Sequence, residues 1–321
     1  MMKRKRFTWK TTFLDCIKQL AIHSYILCTL LMATTFYKTT SAQVHTFTEE
    51  QMNAFTELNP YGRFPGGRPM IPDEILDTVR ELEIQVIEAI GTLRSHNYNY
   101  QYEAGWKTLI PGKKLIGRAF TVQFMPPRPD VEAGIQSIAA RNNSTSVNKS
   151  NTIDMLQKND LVVVDLYGKI EGGHPYVGDK LAYYIWKTTG TGLIVDGGIY
   201  YIENMARSGM QAFYRETQMI GNTGRAIVSG VNIPIQIGDA VIMPGDLVIG
   251  DEDGILAIPP NLVSEVIATV IRNRRRDVWI KKAFDLGKYT SGEIYSRPRD
   301  PLLLQQFNDY LDTGDPKFLP E

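Results

Sequence analysis

The residues best suited to binding chemistry lie in a glycine-rich stretch, Gly168–Gly198. Gly178 precedes a segment of helical spacing that starts at Asp179, so the backbone N–H groups of Asp179, Lys180 and Leu181 point outward without partners. Such a helix start binds anions, including the carboxylate of an organic acid. A purely structural alternative is that Asp179 caps the helix. The glycine spacing fits neither a P-loop nor a dinucleotide-binding turn, which excludes the two common nucleotide sites.

Three other groups of residues are weaker candidates for chemistry. His174 lies in the glycine loop as a candidate general base, although a solvated loop histidine is the plainer interpretation. Asp246, Asp251 and Asp253 lack the spacing of a calcium loop and predict hairpin turns. The four arginines within residues 272–276 are expected to end a helix, where cations complement the helix dipole.

The candidate residues are positioned by two apolar runs with a helical segment between them. Leu161–Leu166 and Gly192–Asp196 have the composition of buried strands, and Asp179–Thr189 has helical spacing. In a strand–helix–strand unit, Gly178 and the turn at Gly197 come to the same edge of the sheet. The sequence therefore predicts a pocket at the carboxyl ends of these two strands.

The rest of the chain predicts a single α/β domain built on a mixed sheet. Apolar residues at spacings of three and four predict a helix from Pro72 to about Leu93. Weaker signals predict a half-buried strand at 120–124, a loop with a short helix at 127–150, short strands and turns at 225–259, and a helix at 262–276. The predicted divisions are an export signal at 1–42, a loop-like segment at 43–70, the domain at 71–276 and a polar, partly helical tail at 277–321.

The first 42 residues have the composition of an export signal. They hold seven basic residues and one acid, with a basic start at Lys3–Arg6 and a mostly apolar run at Leu20–Phe36. Small residues around Ala42 predict cleavage there and a periplasmic or extracellular location, without stable membrane insertion afterwards. A retained anchor is the alternative, although the run barely reaches the length of a membrane span. The remaining body has six more acidic than basic residues, which argues against a nucleic-acid partner.

Cysteine and histidine are scarce beyond that head. Cys16 and Cys28 both lie within it, so the body has no thiol for a disulfide or a cysteine-type zinc site. Its histidines are His45, His96 and His174. Any metal is therefore expected to be held by carboxylates and water, which suits Mg²⁺ or Mn²⁺.

Three segments, in this order and spacing, resemble one enzyme family. They are Gly178-Asp-Lys-Leu-Ala182, then Gly190-Thr-Gly-Leu-Ile-Val-Asp-Gly-Gly198, and then Pro244-Gly-Asp-Leu-Val-Ile-Gly-Asp-Glu-Asp-Gly254. Leu115–Thr121 and Arg128-Pro-Asp130 also look like that family's opening strand and following loop. Over about residues 70–270 the chain resembles the family of 4-hydroxy-4-methyl-2-oxoglutarate aldolases and the regulator of ribonuclease E activity A.

The resemblance implies a swivelling β/β/α domain, here with an N-terminal helix and a C-terminal helical tail. It also implies a homotrimer or homohexamer with sites at subunit interfaces. Enzymes of the family cleave or decarboxylate 2-oxo acids by stabilising an enolate on a divalent metal. Position by position, Gly178, Asp179, Lys180 and Leu181 match the loop that binds the substrate carboxylate, with Asp179 as the catalytic candidate.

The chain departs from this family where the second strand ends. Tyr200 stands where the family has a substrate-binding Arg, and Tyr201 stands at the Asp that ligates the metal. A phenol does not replace a guanidinium group as the charged partner of a carboxylate, and it is a poor ligand for Mg²⁺. Glu203 is the nearest carboxylate and a weak candidate ligand, although an acid in the first turn of a helix is the plainer interpretation.

Two functions follow from this pattern, and a third remains open. The first is a divergent lyase of the metal-dependent aldolase or decarboxylase type, acting on a 2-oxo acid or related sugar acid. The second is a catalytically silent binding or structural oligomer, as the substitutions at Tyr200 and Tyr201 suggest. The third is new chemistry in which the tyrosines stack on a sugar ring or donate protons. Dependence on a metal separates the first function from the other two.

Overall fold

The computed structural model describes residues 46–141, 149–167, 175–219 and 226–321. Residues Gln43–Glu321 form one compact unit. The predicted export signal at 1–42, together with His45, Gly168 and His174, lies outside the described residues. No helix within the described ranges is both long enough and apolar enough to cross a membrane.

The elements are numbered in chain order. The strands are β1 (Gly62–Arg63), β2 (Pro69–Met70), β3 (Tyr102–Glu103), β4 (Lys107–Thr108), β5 (Leu115–Met125), β6 (Asp160–Asp165), β7 (Gly192–Ile199), β8 (Gln211–Thr217), β9 (Ile227–Val231), β10 (Ile235–Ile237), β11 (Ala240–Ile242), β12 (Leu247–Asp251) and β13 (Gly254–Ile258). The α-helices are α1 (Glu49–Phe55), α2 (Asp73–Glu81), α3 (Val86–Ser95), α4 (Pro129–Arg141), α5 (Lys149–Ile153), α6 (Asp179–Thr189), α7 (Ile202–Arg207), α8 (Val263–Asp285), α9 (Ser291–Ile294) and α10 (Pro301–Thr313). Single 3₁₀ turns lie at Pro260–Leu262 and Pro316–Phe318.

A mixed sheet forms the centre of the fold. Its strands follow the order β3-β13-β12-β5-β6-β7-β8-β4, and β9 also pairs with β5. The four strands β5 to β8 are parallel, and the strands that flank them are antiparallel. β5 pairs with β12 through Leu115–Arg118 and with β9 through Val122–Met125. These two strands therefore lie one after the other along the same edge of β5. The predicted α/β domain on a mixed sheet is confirmed.

The central strands are mostly apolar because both of their faces are covered. Val162 and Val164 of β6 pack on the same side as Ile185 of α6. Val163 points to the other side, where it packs in a cluster with Ile235 of β10. Parallel strands buried on both faces have continuous apolar sequences of this kind. The same reason makes β5 a mostly buried strand, whereas the alternation at 120–124 predicted a half-buried one.

The prediction of one helix from Pro72 to Leu93 is wrong, because the chain turns between α2 and α3. Glu83 has the left-handed backbone conformation, with φ of 48°. The N–H of Ile84 reaches back to the carbonyl of Val79, which closes the end of α2 as a Schellman motif does. The break allows Ile84 to be buried, so tertiary packing overrides a continuous helical period.

Both ends of the described chain contain more structure than the sequence predicted. The loop-like segment at 43–70 contains α1, whose start is closed by a capping box between Thr48 and Gln51, and the β1–β2 hairpin. At the other end α8 continues to Asp285 instead of stopping at 276, because Trp279 packs against Phe307 of α10. The arginines at 272–276 therefore lie inside this helix, and Arg274 pairs with Glu88 of α3.

Two further predictions concern shorter segments. Residues 127–150 contain α4, which is longer than the predicted short helix. Asp251 and Asp253 lie at the β12–β13 hairpin, where Asp251 accepts the N–H of Asp253, as the turn prediction requires. Asp246 differs from them because its side chain is buried.

Candidate carboxylate-binding site

The carboxyl ends of β6 and β7 lead into α6 and α7, and these elements bring the predicted site residues together. Gly178 is the residue before the first turn of α6, and no side chain caps this helix start. The alternative of a capping role for Asp179 is not seen, since the helix begins at Asp179 itself. Asp179 Oδ2 lies 3.4 Å from Nδ2 of Asn204, a long contact from α7. Lys180 is exposed, whereas Leu181 packs against the core.

The ring of Tyr200 lies directly on Gly178. A methyl group built on Gly178 would lie 2.8 Å from Cζ and 2.9 Å from Oη of Tyr200. Any side chain at position 178 would therefore collide with the tyrosine. The phenol stands beside the uncapped N-terminus of α6, close to where an incoming carboxylate would meet the first N–H groups.

Tyr201 is held in a conformation that tyrosine seldom adopts. Its φ is 60° and its ψ is 37°, the left-handed region, at the position just before α7. The side chain is 58% exposed, and its ring centroid lies 5.0 Å from that of Tyr200 at an interplanar angle of 48°. A strained backbone that presents an exposed aromatic ring is more typical of a binding site than of a structural turn.

The two rings form one wall of an open pocket of about 390 Å³. The residues that line it are Tyr200, Tyr201, Ile202, Glu203, Asn204 and Met219. Glu203 is the acid among them, and its side chain, 83% exposed, pairs at 3.5 Å with Arg207 one turn further along α7. The pocket thus combines aromatic surface, one amide and one acid beside a helix N-terminus.

The donors at this site do not fit the divalent metal that the resemblance implies. Within the described ranges, no three His, Cys, Asp or Glu side chains are grouped to hold an ion. Tyr201 presents a phenol at the family's ligand position, and Glu203 is engaged by Arg207. His96 lies elsewhere, bonded at 2.9 Å to Glu265 of α8.

A row of polar side chains that sequence analysis did not single out crosses the same end of the sheet. Gln123 of β5, Asp165 of β6 and Asp196 of β7 are in register. Arg215 of β8 binds Asp196 Oδ1 through Nε at 2.6 Å and Glu103 Oε1 through Nη2 at 2.7 Å. The row faces away from α6, since the neighbouring residues of opposite orientation pack on the α6 side.

The polar row fixes the ends of the strands that carry the site. Burial raises the pKa of Asp165, which accepts the N–H of Tyr167 and a hydrogen bond from Gln123. Asp196 is buried and neutralised by Arg215. The sequence contained a signal for the two aspartates of this row, because Asp165 and Asp196 each follow an apolar run. The pairing of Asp196 with Arg215 depends on strand order, which that signal does not give.

The chain is similar to one protein family and to several known proteins. A family model described as RraA-like, Aldolase/RraA, matches residues 73–257. Protein DlpA of Legionella pneumophila is 26% identical over 200 residues, which are 62% of this chain and 29% of that protein. A protein of Halalkalibacterium halodurans named "Putative 4-hydroxy-4-methyl-2-oxoglutarate aldolase" is 30% identical over 119 residues, 37% of this chain and 55% of that protein. The chain thus matches less than two thirds of the length of either relative.

Two solved structures illustrate the similarity in fold. An uncharacterised protein of Pseudomonas syringae pv. tomato has a TM-score of 0.57 at 21% identity, covering 72% of this chain and 94% of that one. RraAS2 of Streptomyces coelicolor, an unusual member of the RNase ES inhibitor RraA protein family, has a TM-score of 0.56 at 22% identity, covering 69% and 99%. At these identities the likeness concerns the fold, and it confirms the predicted RraA-like β/β/α architecture.

Proposed function

Since this chain belongs to the RraA-like family, we propose that it is a divergent lyase that acts on a 2-oxo acid or a related sugar acid. The aldolase name carried by the Halalkalibacterium relative supports this class of reaction. In keeping with the export signal predicted at 1–42, the proposed place of action is the periplasm or the cell exterior.

The position of the pocket carries the proposal. An uncapped helix start, the half-buried Tyr200 with the exposed Tyr201, and the end of β7 meet at one place, on the segments that resemble the family's substrate loop. The first-turn N–H groups of α6 suit a carboxylate, and tyrosine rings suit the carbon skeleton of a hydroxylated acid. The site therefore offers separate contacts for the two parts of such a substrate.

For a 4-hydroxy-2-oxo acid, cleavage breaks the bond between the third and fourth carbons. The electron pair passes to the 2-oxo group as an enolate, and the hydroxyl loses its proton as the second carbonyl product forms. In the proposal Asp179, at the first position of α6, takes that proton and then returns a proton to the third carbon of the enolate, which gives pyruvate and restores the carboxylate. The hydroxyl of Tyr200 or Tyr201 donates a hydrogen bond to the enolate oxygen. No step uses a metal, because the described donors do not fit one.

A second candidate function, binding without turnover, is favoured by the contact between Tyr200 and Gly178. The phenol lies against the very residue that should approach the substrate carboxylate. A carboxylate must either share the helix start with this ring or displace it. In a silent family member, the ring would remain there and the pocket would serve recognition alone.

The test measures turnover and binding on the same purified protein. Pyruvate release from 4-hydroxy-4-methyl-2-oxoglutarate and from oxaloacetate is followed with Mg²⁺, with Mn²⁺ and with a chelator, while binding of oxalate and of galacturonate is measured by calorimetry. Pyruvate release supports the lyase, and binding alone supports the second candidate. Neither turnover nor binding of any of these acids would contradict both.

One matched pair of variants assigns activity to the site. Asp179→Asn should lower turnover by about a hundredfold or more, as removal of a general base does. Glu49→Gln changes an acid in the first turn of α1, away from the pocket, and should leave turnover unchanged. Equal rates in both variants would remove Asp179 from the mechanism.

A further inference from the structure

A second cavity, of about 420 Å³, lies away from the tyrosine pocket and shares no residue with it. Its walls come from the end of α1 and the residues after it, the loop before β3, strand β11, and the turn at Pro259–Asn261. Residues 54–59 and 259–261 fall outside the segment matched by the family model. The cavity is therefore partly built by segments that this chain adds to the family domain.

Asp246 is the most deeply buried charged residue of this wall, with 3% of its surface exposed. Its Oδ2 accepts the N–H of Met243 at 2.9 Å. Among the described residues no donor contacts Oδ1, so half of the carboxyl is left for a ligand. The Asp246 carbonyl accepts the N–H of Ala119 in β5, and the N–H of Gly245 donates to the Ala119 carbonyl, so the backbone that carries the carboxyl is fixed to the sheet.

The charge of the wall indicates which ligand fits. Its titratable residues are Asp246, Glu57 at the exposed rim and Tyr98, and no Lys, Arg or His is among the described lining residues. Burial without a counter-ion raises the pKa of Asp246 to about 7. A buried carboxyl in this condition gains most from a cationic partner, because its ionised form is otherwise uncompensated.

We propose that this cavity binds a small molecule through a primary ammonium group, with Asp246 as its ionic partner. The ammonium group donates to the unused Oδ1. The side-chain oxygen of Asn261 is available for one of its remaining protons, and the Tyr98 ring supplies an aromatic surface for a cation. The carbon chain of the ligand lies along Val241 and the proline side chains of the wall.

The test uses three small probes of matched length on the intact protein. Binding of n-butylamine, n-butanol and butyrate is followed by changes in protein NMR shifts at pH 6 and pH 8. Only n-butylamine should bind. Because the ionised fraction of Asp246 rises across this interval, the affinity of the protein for n-butylamine should increase roughly tenfold from pH 6 to pH 8. Equal binding of the alcohol, an affinity independent of pH, or no amine binding at pH 8 would overturn the proposal.

Variants assign the binding to this wall. Asp246→Asn keeps the acceptor for the Met243 N–H and removes the charge, so amine affinity should fall at least about tenfold and lose its pH dependence. Glu57→Gln changes the rim acid and should leave the pH dependence intact. Asn261→Trp fills the cavity without touching the carboxyl, so it gives the same readout if Asp246→Asn folds poorly. Unchanged amine binding in Asn261→Trp or in folded Asp246→Asn would overturn the assignment.

Discussion

At the scale of single residues, the backbone of Tyr201 makes the first prediction. A non-glycine residue in the left-handed region costs about 1–2 kcal/mol, and glycine removes that cost. Tyr201→Gly should therefore raise the free energy of unfolding by roughly 1 kcal/mol, measured by urea denaturation. Tyr295→Gly is the control, because Tyr295 is also exposed but has a helical φ of −55°. Tyr295→Gly should lower the free energy of unfolding. If Tyr201→Gly lowers it as well, the backbone of Tyr201 is not strained.

The second residue-scale prediction restores the family pair. Tyr200→Arg with Tyr201→Asp should create measurable Mn²⁺ binding by calorimetry and strengthen oxalate binding about tenfold to hundredfold, as charge-assisted hydrogen bonds do. Aspartate also tolerates the left-handed backbone better than tyrosine. A folded double variant that gains neither property would favour the silent-binding function. If the wild type instead turns over substrate without metal and the variant loses that activity, the tyrosines themselves carry the chemistry.

At the scale of elements, a buried ion pair attaches the β1–β2 hairpin to the sheet. Arg68 binds both oxygens of Asp160 at 2.9 and 2.8 Å, and both side chains are buried. Asp160→Asn leaves the buried guanidinium without its charge partner, so we expect a loss of about 3–5 kcal/mol in unfolding free energy. Asp130→Asn, which breaks the exposed pair with Arg128, is the control and should leave the denaturation midpoint unchanged. Equal effects of the two variants would contradict the structural role.

The turn before β12 makes a prediction about pH. The pKa of Asp246 is raised by burial to about 7 in the folded protein, whereas an aspartate in the unfolded chain has a pKa of about 4. Between these values the folded protein keeps a proton that the unfolded chain releases, so this residue lowers stability as the pH rises. Asn does not titrate. The melting temperature of Asp246→Asn relative to wild type should therefore increase from pH 5 to pH 8, and a constant difference would contradict the raised pKa.

At the scale of the whole molecule, the family resemblance predicts self-association. We expect a trimer or hexamer by light scattering at micromolar concentration. The exposed aromatic residues Tyr183 and Tyr184 on α6 provide apolar surface for such a contact. A monomeric protein would contradict the prediction that the sites lie at subunit interfaces. It would not bear on the proposed binding of a ligand in the cavity at Asp246.

The sequence alone determined the strand–helix–strand unit that carries the site. Leu161–Leu166 and Gly192–Asp196 are recognisable because a strand buried on both faces has a nearly continuous apolar sequence, a pattern visible in a few consecutive residues. The start of α6 at Gly178 was likewise local, since it depends on neighbouring residues only. Two motifs of this unit, together with Pro244–Gly254 further along the chain, were enough to indicate the family.

Tertiary structure alone decided which side chains meet. The Tyr200 ring rests on Gly178, Arg68 pairs with Asp160, and Arg215 neutralises Asp196, yet no periodicity connects these positions. Each contact depends on strand order and register, because a side chain's neighbours across a sheet are distant in sequence. For the same reason, the sequence predicted Asp246 only as a turn residue. Its carboxyl is buried in the structure because segments that are distant in sequence pack around it.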